Sequence, residues 1–183
     1  MKKNIMSAVI ALGLTVSAQA GEWEFLPVLN SDYTPQFALA LTGGVLQGDA
    51  SSTESVFGVE ISLDCPLLKA PNHTIRQQAS FTKYDHNGEK LSSFELNPHH
   101  MFEMTDNTYI GVGPSLGFAK YERAGDSDTV FTYGLGLSLR TNFTEHFFVG
   151  AEMRYVWTQD ANINGVEDDV NNLRTVAKIG YQF

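Results

Sequence analysis

Three things are scarce in this chain of 183 residues: cysteine, long apolar runs and positive charge. Cys65 is the only cysteine, which excludes an intramolecular disulfide in an oxidising compartment. Next to Pro66, at a predicted strand end, we expect Cys65 to fill space as a small apolar side chain. No apolar run reaches the about 20 residues that a membrane-spanning helix needs. A disulfide-stapled domain and a helical membrane protein are therefore both excluded.

Positive charge is scarcest after residue 20. Ten of the twelve lysines and arginines lie there, against 21 aspartates and glutamates, which gives a net charge of −11. Nucleic-acid binding needs a basic surface that matches the phosphates. The sequence therefore predicts no nucleic-acid partner.

Residues 1–20 have the composition of a secretory signal peptide. Two lysines follow the first methionine, an apolar stretch covers residues 5–16, and Ala18-Gln19-Ala20 supplies a small-x-small cleavage site. An uncleaved anchor is the alternative, but about 12 apolar residues are too few to span a membrane. We expect cleavage between Ala20 and Gly21 and export of the remaining chain.

Four segments in the second half of the chain alternate with a period of two residues. Each has one face of large apolar side chains without charge and an opposite face rich in glycine, serine and charged residues. This is the pattern of β-strands that have two different surroundings. The segments cover 109–121, 131–141, 147–157 and 173–183.

The first half repeats the pattern less cleanly in four further segments, which cover 37–45, 57–65, 74–84 and 94–102. The segment 74–84 is the poorest, because Gln77 and Lys83 fall on its apolar face. The total of eight strands is even, as bacterial membrane barrels require. We predict an all-β fold, an eight-stranded antiparallel up-and-down transmembrane β-barrel over residues 37–183, preceded by a lead-in over 21–36.

A soluble ligand-binding barrel is the structural alternative, since it alternates too. It would turn its large apolar side chains inward around a ligand. Here the opposite face carries charges of both signs, and Tyr155, Trp157, Tyr181 and Phe183 lie at strand ends, as aromatic girdles do at membrane interfaces. The membrane barrel is the better interpretation.

The connections fit this arrangement. Short polar turns are predicted at 105–107 and 142–145, and a longer link at 66–72, all on the periplasmic side. Longer polar loops are predicted on the outer side, over 48–54, 85–90, 122–128 and 158–169.

Several of these motifs together resemble a known family. The signal peptide, the Gly111-Val-Gly-Pro-Ser-Leu-Gly-Phe118 strand, Gly134-Leu-Gly136 and the ending Ile179-Gly-Tyr-Gln-Phe183 are similar to small outer-membrane β-barrels of the opacity and OmpX/OmpA types. The resemblance implies location in a bacterial outer membrane. It also implies that Ile179, Tyr181 and Phe183 serve as the C-terminal signal to the outer-membrane assembly machinery.

An eight-stranded barrel has a lumen that side chains can fill. Four carboxylates and five cations fall on the inward face, close to balance, and paired charges tolerate burial. We expect a structural ion-pair network, with a narrow ion path as the alternative. The network residues are Glu60, Asp64, Arg76, Glu95, Arg140, Glu152, Arg154, Arg174 and Lys178.

Two prolines fall in the lipid-facing rows. If the turn centres on Asp106, Pro98 and Pro114 lie opposite each other on adjacent strands. Proline cannot donate to a β-ladder, and a missing bond is costly in lipid. The pair marks either a simple bend in the strands or a lateral seam for an apolar solute.

Candidate catalytic, nucleotide-binding or metal-binding residues are few. His99 and His100 point to opposite faces of a strand, so they cannot readily share a metal ion. The run 111–117 is rich in glycine but lacks the lysine of a P-loop, so we expect no nucleotide-binding loop there. Ser93, Glu95 and His99 share a face but are strung along one strand, which makes a poor catalytic set. We expect no catalytic residue, no cofactor and no metal.

The predicted outer loops carry many carboxylates, which either keep a rim solvated or bind divalent ions. We therefore expect a structural or surface-interaction barrel, monomeric, whose partners are outer-membrane lipid and lipopolysaccharide and the assembly machinery. The alternatives are a narrow channel or lateral conduit and, second, a lipid-modifying enzyme.

Overall fold

The computed structural model describes residues 23–48, 53–71, 74–86 and 88–183. The predicted signal peptide lies outside the described residues, as do the first two residues of the predicted lead-in. No helix in the described part of the chain is both long and apolar enough to cross a membrane.

Eight long strands in the described residues close into one antiparallel barrel. Each pairs with its neighbour in sequence, and the last pairs with the first. The predicted fold class is confirmed. The strands are β1 Ala38–Gly48, β2 Thr53–Asp64, β3 Thr74–His86, β4 Glu89–Thr105, β5 Thr108–Arg123, β6 Asp126–Asn142, β7 Phe147–Thr158 and β8 Asn172–Gln182.

The pleat places the apolar rows on the outside of the barrel. Leu41, Phe57 and Ile179 are each at least 62 % exposed, whereas the alternate positions are buried along most of each strand. Large apolar side chains exposed in such rows are suited to lipid rather than to water. The ligand-binding barrel with an apolar interior is therefore the wrong alternative.

The strands β4, β5 and β6 are 16 or 17 residues long, against 11 to 13 in the other five. Past its last rung with β3, β4 runs four residues further at the end near Ala38 and Gln182, and past its last rung with β7, β6 runs six residues further at the opposite end. We call the first the terminal end and the second the outer end. The predicted loops 85–90 and 122–128 are therefore wrong as loops, because strands occupy most of both segments.

The physical reason lies in the turns and in cross-strand charge pairs. Ala124 and Gly125 both adopt positive φ angles, 52° and 87°, so β5 and β6 join through a two-residue turn of the kind that suits a twisted hairpin. Arg123 Nε lies 3.1 Å from Glu89 Oε1 across β4 and β5. Polar residues on both faces hid these strand ends from a search for apolar alternation.

The predicted loop 158–169 also contains a hairpin, in which Ala161–Ile163 pairs with Val166–Asp168. The backbone N–H groups of Asn162 and Asn164 donate to Asp128 and Asp126 of β6, at 2.8 and 2.7 Å. This fourth outer hairpin is thus fastened to the barrel wall.

At the terminal end, the segment before β1 is tied to the first link between strands. Glu24–Phe25 pairs with Leu68–Lys69, and the Lys69 ammonium lies 3.3 Å from the Glu24 carboxylate. The Tyr33 hydroxyl donates to the Asp64 carbonyl at 2.6 Å. The link 66–72, predicted as a longer connection, holds the short strand Leu68–Lys69.

Cys65 is buried in a small apolar cluster with Ala70 and Ile75, and Trp23 packs against that cluster. The thiol is free. Its surroundings agree with the space-filling role expected for it.

Candidate functional site

The candidate site is a layer of charged side chains across the lumen. Strand register places it: Glu60 on β2 pairs with Ser80 on β3, which pairs with Glu95 on β4. On the opposite wall Arg154 of β7 pairs with Arg174 of β8. Inward residues from both walls therefore meet at one height.

Six of these side chains form a connected set, which we call the ionic layer. Glu95 pairs with both Arg154 and Arg174. Arg154 also pairs with Glu152, and Lys178 Nζ lies 2.5 Å from Glu152 Oε2 and also contacts Glu60. Three carboxylates thus meet three cations, none more than 7 % exposed.

Hydroxyl and amide groups bond to the edges of the ionic layer. The Arg174 guanidinium donates to Ser93 Oγ at 3.1 Å, and the Ser93 and Thr82 hydroxyls lie 2.6 Å apart. Asn97 donates to Ser80 at 3.0 Å. Buried ion pairs are tolerated where such bonds satisfy their remaining donors and acceptors, so these partners, which sequence reasoning did not single out, belong to the layer.

Three residues of the predicted network lie outside the connected set. Arg76 is 3.7 Å from Asp64 and donates to Ser62, nearer the terminal end. Arg140 packs over the Phe148 ring at 3.7 Å and donates to the Gln182 side chain at 2.6 Å. Among the described residues, then, Arg140 is held by an aromatic ring and amides rather than by a carboxylate.

His99 fills the lumen beside the ionic layer and is fully buried. Its Nδ1 lies 2.8 Å from Ser138 Oγ, and a Cβ added to Gly136 would come within 2.9 Å of its Nε2. Gly136 therefore provides the space that the imidazole occupies. Ser93 and Glu95 bond to other partners, so the poor catalytic set of Ser93, Glu95 and His99 is not assembled by direct bonds.

His100 lies on the lipid-facing surface of the barrel, as its position in the strand predicted. Its ring stacks on Phe102 with centroids 4.5 Å apart, and Trp23 approaches it edge-on at 6.4 Å. The described residues contain no cluster of three or more His, Cys, Asp or Glu side chains suited to a metal ion.

The outer half of the lumen is apolar, a feature that sequence reasoning missed. We call it the apolar cluster: Leu46, Val56, Tyr84, Leu91, Ala119, Val130, Ala161 and Val176. Ala161 comes from the fourth outer hairpin and covers the cluster from above. The available signal was the change from polar to apolar residues at the inward positions near the strand ends.

The two prolines do lie opposite each other. The pairing of β4 with β5 stops after Leu96 and Leu116 and resumes at His100 and Val112, so Pro98 and Pro114 face each other in a gap of three rungs. The wall is not splayed there, because a Cβ on Gly113 would collide with the Pro98 carbonyl. The fully buried His99 and Asn97 pack behind the gap.

The C-terminal residues present their large side chains on the lipid-facing surface, at the terminal end. Ile179, Tyr181 and Phe183 are exposed on one face, and the Tyr181 ring contacts both Phe147 and Phe183 at 5.1 Å between centroids. The Phe183 N–H donates to the Phe37 carbonyl at 2.9 Å, which closes the seam between the last strand and the first.

A closed barrel with an apolar exterior and a filled, charged interior is typical of one class of protein, the transmembrane β-barrels. The sequence profile described as "Outer membrane protein beta-barrel domain" matches residues 6–183. This chain belongs to that outer-membrane β-barrel family.

Solved structures agree on the fold. Neisserial surface protein A (NspA) superposes with a TM-score of 0.55 at 16 % identity, over 81 % of this chain and 97 % of that one. Ail, the attachment invasion locus protein of Yersinia pestis, gives a TM-score of 0.54 at 14 % identity, over 81 % and 97 %. At these identities the likeness concerns the fold alone. No curated protein sequence matches the chain.

Proposed function

We propose that this protein is a closed outer-membrane barrel, with a structural role and a role in surface interaction, and that it neither conducts solutes nor catalyses a reaction. The observation that carries the proposal is the ionic layer, in which Glu60, Glu95 and Glu152 are paired with Arg154, Arg174 and Lys178 across the lumen. In this proposal the terminal end faces the periplasm.

The ionic layer supports closure for two reasons. Its side chains come from β2, β4, β7 and β8, so the ion pairs join opposite walls across the lumen. Paired charges in a poorly hydrated interior also attract each other more strongly than in water. Opening a path would separate these buried pairs and leave charges uncompensated.

Planar-bilayer recording tests closure directly. The chain from Gly21, refolded and inserted, is expected to give no stable channel openings. Glu152→Gln weakens the layer without removing volume and is expected to stay closed, and Arg123→Gln at the outer rim is the matched control. Regular single-channel steps from the unsubstituted chain would refute the proposal.

The role in surface interaction rests on the ordered outer hairpins. Five acidic side chains at that end are already engaged: Asp85 with Lys90, Glu89 with Arg123, Glu122 with Lys120, and Asp126 and Asp128 with backbone N–H groups. These contacts support a rigid display surface better than a divalent-ion site. Pull-down from an outer-membrane extract with the folded protein, against a chain shortened at hairpin β5–β6, tests for a partner.

Three accompanying proposals remain from the sequence. We propose cleavage after Ala20, a monomeric state, and recognition of Ile179, Tyr181 and Phe183 by the assembly machinery. The outward position of those three side chains is compatible with such recognition. N-terminal sequencing tests the cleavage, and assembly yield of Phe183→Ala tests the recognition.

A lateral conduit is the second candidate, and the ladder gap at Pro98 and Pro114 favours it. The packed lumen behind the gap weighs against it. An enzyme is less compatible still, since the Ser–His pair that is hydrogen-bonded among the described residues, Ser138 with His99, is buried. A mass shift of lipid A on expression would reveal lipid-modifying activity.

A further inference from the structure

The lysines and arginines outside the lumen are unevenly distributed. Of the ten that follow residue 20, Arg76, Arg140, Arg154, Arg174 and Lys178 belong to the inward face and Lys69 lies at the terminal end. The remaining four all lie at the outer ends of β3, β4 and β5, namely Lys83, Lys90, Lys120 and Arg123. This side of the rim therefore carries four cations beside three carboxylates, Asp85, Glu89 and Glu122, whereas the other outer segments carry carboxylates without lysine or arginine.

Directly below these lysines, four phenylalanines form a row around the outside of the barrel. Phe81 pairs with Phe94, Phe94 with Phe118, and Phe118 with Phe131 across four adjacent strands. The Phe118 and Phe131 rings meet edge to face at 5.6 Å. Aromatic rows of this kind mark the boundary between hydrocarbon and head groups.

The next rung of lipid-facing residues toward the outer end holds Lys83, Ser92, Lys120 and Thr129, which are successive partners on the same four strands. This rung lies two residues beyond the phenylalanines, about 7 Å further along the strands. Lys83 and Lys120 are two strands apart, so their Cα atoms are separated by roughly 10 Å. Their exposed side chains can approach one anion above Ser92.

The following rung, two residues nearer the outer end, holds Asp85, Lys90 and Glu122. Lys120 Nζ lies 2.6 Å from Glu122 Oε1. The pKa of the Glu122 carboxyl lies below its ordinary value because Lys120 hydrogen-bonds to it and adds its charge, with smaller contributions from Lys90 and Lys83. Three lysines thus surround one carboxylate, which competes with any external anion for Lys120.

We propose that Lys83 and Lys120, with Ser92 between them, form an outward-facing binding site for the phosphate groups of a phosphorylated glycolipid in the outer leaflet. The acyl chains of that lipid lie on the row Phe81, Phe94, Phe118 and Phe131. The proposal rests on the proposed placement of the outer end in the outer leaflet. A lipid is favoured over a free anion because both its phosphates and its chains meet complementary surface.

The test measures lipid retention by native mass spectrometry of the chain from Gly21, released from detergent micelles. The probes are bisphosphorylated lipid A, the same lipid with both phosphates removed, and inorganic phosphate. Because each lysine near a membrane surface contributes about fivefold in affinity, the double variant Lys83→Gln/Lys120→Gln is expected to bind bisphosphorylated lipid A about thirtyfold more weakly.

Two further variants serve as a control and as a test for stronger lipid binding. Lys69→Gln removes a lysine at the terminal end, where it faces Glu24, and is expected to change nothing. Glu122→Gln removes the competing carboxylate and is expected to strengthen binding several-fold. The result specific to this rung is loss of the phosphorylated lipid in the lysine double variant together with unchanged binding in Lys69→Gln.

Equal binding by the double variant and the unsubstituted chain would overturn the proposal, and so would equal retention of the dephosphorylated lipid. Displacement of the lipid by inorganic phosphate at matched phosphate concentration would replace it with a free-phosphate site. Circular dichroism and electrophoretic mobility verify that each variant is folded. Bilayer conductance is a separate readout, so failure of the lipid site and failure of lumen closure are distinguishable.

Discussion

The lumen has two halves that are filled by opposite chemistry. The ionic layer holds six paired charges, whereas the outer half holds aliphatic and aromatic side chains roofed by Ala161. A layer of ion pairs depends on every partner, because removal of one leaves an uncompensated buried charge. An apolar cluster loses stability in proportion to the volume removed. The two halves should therefore fail in different ways.

The largest effect is expected from Arg154→Ala. This change leaves Glu95 and Glu152 with one cation fewer in a buried site, so the free energy of unfolding should fall by about 3–5 kcal/mol. Urea unfolding in lipid vesicles, followed by tryptophan fluorescence, measures it. Arg123→Ala at the exposed rim is the control and should cost about 1 kcal/mol at most. High conductance of Arg154→Ala with unchanged unfolding would show that the layer is a gate rather than a structural plug.

A smaller loss is expected from Leu91→Ala in the apolar cluster. Leu91 is buried among Tyr84, Val130 and other members, so truncation should cost about 2–3 kcal/mol through lost burial and a cavity. The same unfolding measurement applies, and the cost should not depend on salt. Leu67→Ala, in the exposed link at the terminal end, should be nearly neutral. A cost equal to that of Arg154→Ala would erase the contrast between the two halves.

The ladder gap gives a third prediction. Pro98→Ala/Pro114→Ala restores two N–H donors where β4 and β5 lack pairing, and the gain should be about 1 kcal/mol, the net contribution of a typical hydrogen bond. Amide hydrogen exchange is the sharper measurement. Residues 95–100 and 112–116 should exchange quickly in the unsubstituted chain and slowly in the double variant. Uniform protection in both proteins would remove the seam as a weak point.

The smallest effect concerns the hydrogen bonds that hold the fourth outer hairpin to β6. The pKa of Asp126 lies below its ordinary value because the N–H groups of Asn164 and Ser127 donate to its carboxylate. This contribution is fully present above the unfolded pKa of about 3.9 and is lost as the pH falls through the lower folded pKa. The Asn164 amide chemical shift should titrate at that lower pH. Asp126→Asn, which can still accept a bond, should abolish the titration, and a midpoint at or above 3.9 would contradict the fastening.

The fold was predictable from the sequence because lipid imposes a strict rule on every second residue. Leu135, Leu137 and Leu139 on β6 alternate with glycines and Ser138, and that pattern alone indicates which face meets hydrocarbon. The rule stops at the membrane boundary. Beyond Lys120 and Thr129 most residues on both faces are polar, so the outer parts of β5 and β6 looked like loops.

The candidate site was predictable as a set of residues but not as an arrangement. Inward parity placed Glu95, Arg154 and Arg174 in the lumen. Whether they meet depends on how far each strand is shifted along its neighbour, which brings together residues up to 118 positions apart, as in Lys178 with Glu60. Parity alone also grouped Arg140 with the carboxylates, although it is held by Phe148 and Gln182.

By itself, the sequence determined the class of fold, the lipid-facing rows and the near balance of positive and negative charge on the inward face, since these follow from the period of a strand and from the solvent on each side. Only the tertiary structure decided the connected pairs, the apolar outer half and the lysine rung above the phenylalanine row. Each of these depends on the register between strands, which is set by the packing of the closed barrel as a whole.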